Sequence, residues 1–157
     1  MSRLLGLTAA LLIAASPLAA QAASNWKVVG APGEAVFALT APIVIDKGVN
    51  YTFQCEADSV AIMQTGVSDL LPPAEVPLVM GLLSDKADLV MKPAAGRANP
   101  KGGQDLMIRL SKKDKAIRTL GEAKMISLAT TGFTAAVSLD DQDRSIIAGF
   151  VDRCLKG

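Results

Sequence analysis

Residues 49–56 read Val49-Asn50-Tyr51-Thr52-Phe53-Gln54-Cys55-Glu56. Val49, Tyr51, Phe53 and Cys55 alternate with Asn50, Thr52, Gln54 and Glu56, the period of a strand with one buried face. Cys55 therefore points inward. Leu106, Ile108 and Leu110 alternate in the same way with Asp105, Met107 and Arg109. Fainter strand patterns cover Trp26–Val29, Glu34–Leu39, Ile43–Asp46, Val60–Gln64, Leu78–Leu83, Ala87–Met91, Met125–Ala129 and Phe133–Leu139. Gly33, Gly48, Gly66, Gly81, Gly132 and several prolines punctuate them. Short strands at this spacing predict a mainly β fold, either a β-sandwich or a squat barrel.

Two segments break the strand series. Ser111 to Gly121 predicts a short inserted helix with Ser111 as N-cap. The last segment is clearer: Ile146, Ile147, Phe150, Val151 and Cys154 recur at helical spacing. Asp140, Asp141 and Asp143 precede it, and Arg153 and Lys156 close it, as the helix dipole favours. This helix buries one face on the sheet, and Cys154 lies on that face. Two segments read as mobile loops: Leu71–Pro77, rich in proline and extended, and Pro93–Gly103, exposed and with almost no apolar bulk.

The N-terminus has the three-part plan of a secretory signal peptide. Arg3 supplies the positive charge, Leu4–Ala15 the uncharged apolar run, and Pro17 the helix break. Ala20-Gln21-Ala22 supplies the small-x-small cleavage pattern. Residues 1–22 are expected to be removed, leaving residues 23–157 as a single domain. The run is shorter than the roughly 20 apolar residues of a transmembrane anchor, so the product is not expected to be an integral membrane protein. Cys55 and Cys154 are the only cysteines. In an oxidising compartment an even, widely spaced pair reads as a disulfide. The alternatives are two free thiols or a reactive cysteine, and neither residue lies in a C-x-x-C motif.

No histidine is present, which excludes Ser-His and Cys-His nucleophile systems and removes the commonest metal ligand. No catalytic residue, cofactor site or metal site is predicted. Asp140-Asp141-Gln142-Asp143 lacks the central Gly and distal Glu of a calcium loop, so its carboxylates read as helix-start residues. Gly96–Gly103 has the wrong spacing for a P-loop, and Ser111-Lys112-Lys113-Asp114 is not a Ser-x-x-Lys motif. Once Arg3 is removed, basic and acidic residues balance, which excludes a general nucleic-acid binder. The balance is uneven along the chain. Lys92–Lys124 carries an excess of six positive charges, and Ala23–Met91 a deficit of five. Arg97, Lys101, Lys112, Lys113, Lys115 and Arg118 therefore form a candidate surface for an acidic protein partner, or for head-to-tail self-association. The alternative is a merely solvated face.

The aromatic-x-x-x-Cys strand Tyr51–Cys55, the strands after it, and the Phe-x-x-x-Cys helix Phe150–Cys154 resemble VasI-like type VI secretion accessory proteins. The same features resemble the invasion-associated locus B group of periplasmic proteins. The resemblance implies a non-enzymatic envelope role on a β-sandwich, and the signal peptide an exported product, periplasmic or secreted. Tyr51–Cys55 in a small disulfide-linked β fold also looks like the periplasmic C-type lysozyme inhibitors. Their Ser-Gly-x-x-Tyr segment is missing, so no inhibitory residue carries over. Three functions follow as expectations. The first is an accessory or binding module of the envelope. The second is a hydrolase inhibitor using Pro72–Pro77 or Gly96–Gly103 as a wedge. The third is a carboxylate-based hydrolase.

Overall fold

The computed structural model describes residues 26–41, 50–65, 77–98, 104–131 and 133–157. The decisive stretch forms β3 (Asn50–Cys55), antiparallel to β2 (Ala38–Ala41) and β4 (Ser59–Thr65). With β1 (Lys27–Val29), β8 (Gln104–Ser111) and β7 (Ala95–Ala98) they make a six-stranded sheet in the order β1-β2-β3-β4-β8-β7. Alternation places Leu39, Phe53, Ile62 and Ile108 in one cross-strand row and Ala41, Tyr51, Gln64 and Leu106 in the next. All eight are buried, so this face is the floor of the core.

The second sheet has four antiparallel strands in the order β10-β9-β5-β6. These are β5 (Val79–Ser84), β6 (Ala87–Pro93), β9 (Met125–Thr130) and β10 (Phe133–Ser138). Its inward residues Met80, Leu82, Ile126 and Leu128 join the same hydrophobic cluster. Two open sheets sharing one core make this the sandwich form of the expected β fold. Neither sheet closes into a barrel.

The chain changes sheets in one continuous run. It leaves β6 at Pro93, bends at Ala94, whose N–H donates to the Leu78 carbonyl, and re-enters as β7. The expected Pro93–Gly103 loop is thus in part a strand, because Ala95–Ala98 pairs antiparallel with β8. Residues 99–103 of that loop, Ile43–Asp46, and all of Leu71–Pro77 except Pro77 lie outside the described residues. The expected strand at Glu34–Leu39 starts later, at Ala38. Gly30 and Gly33 adopt positive φ and turn the chain there, with the Glu34 carboxylate accepting from the Ala31 N–H.

The expected helix at Ser111–Gly121 is shorter and split. Ser111 ends β8, Asp114 precedes α1 (Lys115–Arg118), and a 3-10 turn follows at Leu120–Glu122. The terminal helix α2 (Asp141–Lys156) buries Ile147, Phe150, Val151 and Cys154. Asp140 caps it. Its Oδ1 accepts from the Asp143 N–H at 2.8 Å, while Asp143 Oδ2 accepts from the Asp140 N–H at 3.3 Å. This reciprocal box satisfies donors that a helix start leaves unpaired, and it is the use found for those carboxylates. Helix α2 seats on the 3-10 turn at Gly121, where an added Cβ would lie 2.5 Å from Ala148 Cα. Only glycine permits that approach. Cys55 and Cys154 are bonded to each other across a sequence separation of 99. Phe37 packs at a tilt against Phe150, centroids 5.1 Å apart.

Candidate functional site

The expected partner residues do not all meet. Lys112, Lys113 and Arg118 line one open groove of about 560 Å³ with Asp58, Ser111 and Leu155. The turn after β8 positions them, held by a hydrogen bond from the Lys112 N–H to the Asp58 carbonyl, 3.1 Å. Asp114 Oδ2 accepts from the Ser111 N–H, and Ser111 Oγ from the Lys113 N–H, which fixes the turn's course. Lys115 is exposed on α1 but does not line the groove. Arg97 is exposed on β7, the edge of the six-stranded sheet, in register with Asp105. Lys101 lies outside the described residues. Among the described residues, the sequence patch thus resolves into a three-cation groove, with Lys115 and Arg97 outside it.

A second cleft of about 390 Å³ adjoins the first and shares Lys112. Phe37, Cys55, Glu56, Glu34 and Arg153 line it, so it opens beside the disulfide. The Arg153 guanidinium sits 5.3 Å from the centre of the Phe37 ring, and its Nε donates to the Gly149 carbonyl. The aromatic face and the helix C-terminus both favour a cation there. Glu56 Oε2 accepts from Arg109 Nε at 2.8 Å and from the Ser59 hydroxyl at 2.7 Å. The Arg109 hydrogen bond holds the Glu56 carboxyl below its ordinary range, and Glu56 in turn raises Arg109. That pair is internally satisfied. Among the described residues, Lys112, Lys113 and Arg118 form no ion pair, so their charge is available to a partner. Sequence reasoning missed Arg153, because only folding brings the terminal helix beside Lys112.

Two further features lie away from this end. Inside the sandwich, the Thr130 hydroxyl donates to Gln64 Oε1 at 2.6 Å, joining the two sheets. Tyr51 stands directly opposite Gln64 on β3. Burial pushes its phenol well above the ordinary value, with Thr130 pulling the other way. The outward side of the four-stranded sheet, on which Gly81 and Ser127 are nonetheless buried, carries no charge at its paired positions. Val79, Gly81, Leu83, Met91, Ser127, Ala129, Thr134 and Ala136 all fall on it by register.

Among the described residues, no group of His, Cys, Asp or Glu is arranged to hold a metal ion, and no helix is long and apolar enough to cross a membrane. The fold and this end of it define a disulfide-closed β-sandwich with a basic groove at the seam of sheet and terminal helix. Comparisons with protein-family models, with curated proteins and with solved structures returned no match.

Proposed function

We propose that this protein is exported to the periplasm and acts there without catalysis, as an accessory or binding module that docks an acidic segment of an envelope protein. The observation that carries the reading is the convergence of Lys112, Lys113 and Arg118 on one groove, with Arg153 beside it and the exposed Leu155 in its lining. Unpaired cations around a small apolar contact steer and orient an acidic partner. The intramolecular disulfide fits an oxidising compartment outside the cytosol, and the N-terminal pattern supplies a route to it. The resemblance to periplasmic accessory proteins supports the same reading.

The test is crosslinking in the native envelope followed by affinity measurement on the captured partner. Lys112→Glu with Arg118→Glu should weaken binding by at least about tenfold, a loss of roughly 1.4 kcal/mol, and flatten its salt dependence. Arg97→Glu, outside the groove, should change little. Equal affinity for wild type and the groove double variant would sink the proposal. Periplasmic material whose mass lacks residues 1–22 would support the export route, and full-length cytosolic material would refute it.

A further inference from the structure

A sheet edge exposes unpaired main-chain groups, and proteins blunt such edges with charge, proline, bulges or brevity. Among the described strands, three of the four sheet edges are blunted. Strand β1 has three residues and begins at Lys27. Strand β7 has four, including Gly96 and Arg97. Strand β6 carries Lys92 and Pro93 and a register break opposite Leu82–Ser84. Strand β10, Phe-Thr-Ala-Ala-Val-Ser, has none of these devices. It has no charge, no Gly and no Pro, and its register with β9 is unbroken over six residues.

The hydrogen-bond phase shows which groups are open. The Leu139 N–H donates to the Lys124 carbonyl at 2.8 Å, so odd-numbered residues of β10 bond to β9. Thr134, Ala136 and Ser138 therefore turn both N–H and C=O away from the sheet. All three also have exposed side chains, and the described sheet ends at this strand. The strand is self-complementary about its middle. Antiparallel pairing with itself, centred on Ala136, sets Thr134 opposite Ser138 of a second copy and Ala136 opposite Ala136. Ala135 then faces Val137. Hydroxyl meets hydroxyl, small apolar meets small apolar, and no charges oppose.

We infer that β10 is the edge by which two copies of this chain pair, antiparallel about a two-fold axis at Ala136, joining their four-stranded sheets into one of eight. The interface is isologous, as a closed dimer requires. It is one strand wide and far below the roughly 800 Å² per partner of a standard interface, so the dimer dissociates on dilution. It is independent of the basic groove.

Sedimentation of the purified protein over a concentration series should show mass rising from one chain to two. Ala136→Lys and Ala136→Glu each oppose like charges across the axis, so each alone should stay monomeric, while an equimolar mixture should restore the dimer. The position is exposed, and unchanged circular dichroism and melting temperature would show each variant folded. Ala136→Pro removes only an outward N–H and should likewise abolish pairing. A single-chain mass at every concentration overturns the inference. So does a dimer that all three substitutions leave intact, which would place the contact elsewhere, for example at the groove.

Discussion

Gln64 brings a buried amide into the row it shares with Ala41, Tyr51 and Leu106, and among the described residues its side chain is bonded by Thr130 of the opposite sheet. Thr130→Val should cost about 1–3 kcal/mol, because it leaves a buried amide with no bond. Thr130→Val combined with Gln64→Leu should cost less than Thr130→Val alone. Urea unfolding of the single and double variants measures the difference. At the surface, two carboxylates set the acid response. Glu56 is held low chiefly by Arg109, and Asp85 by the backbone N–H groups of Lys124 and Met125. Each titrates lower when folded than when unfolded, so its contribution is complete above the unfolded value, near about 4, and is lost as pH falls through the folded one. Melting temperature should hold steady from neutrality to about pH 5 and drop below it. Glu56→Gln and Asp85→Asn should each shallow that drop. The Glu56–Arg109 pair lies at the surface, where solvent screens it, so the pair itself adds little to stability. At this scale the sequence was half informative. Alternation with Val60 and Ile62 marks Gln64 as inward, but nothing local announces that Thr130 meets it from 66 residues away.

At the scale of elements, the pieces with strong apolar periodicity were legible and those formed by pairing alone were not. Strands β3 and β8 and helix α2 declare themselves because burial imposes their periods. Strand β7 is invisible to that signal: its four residues are all exposed, and hydrogen bonds to β8 are what make it a strand. The basic groove was legible as far as its cations are neighbours in sequence. Arg97 and Arg153 show the limit, since one shares the charge run but not the site, and the other shares the site's end but not the run. Two substitutions probe α2. Asp140→Ala removes the cap and should cost about 1 kcal/mol. Gly121→Ala forces a methyl into the Ala148 backbone and should cost about 1–3 kcal/mol by overpacking. Chemical denaturation read by helix circular dichroism distinguishes both from wild type.

For the whole molecule, the disulfide encloses most of the fold. In the chain-entropy account a ring of that length stabilises by about 4–5 kcal/mol, comparable to the low end of a domain's entire net stability. Cys55→Ala with Cys154→Ala should therefore lower the unfolding free energy by about 2–5 kcal/mol, read from equilibrium unfolding. A loss below 1 kcal/mol would mean that packing of Phe150 and Phe37 alone seats the helix. Pairing of the cysteines was legible from their number and spacing. The geometry that makes the bond useful was not, because it depends on where β10 delivers α2.

The run from β6 into β7 gives that bond a wider meaning. On one flank the backbone itself passes from one sheet to the other at Ala94. On the opposite flank α2 leaves the end of β10 and is bolted to β3 of the other sheet. The sandwich is thus a book with a spine and a clasp. Undoing the clasp leaves the spine whole, so the reduced protein should gape from the clasp side. Amides of α2, β1 and β2 should lose protection first, while those of β5 and β8, nearest the spine, lose it last.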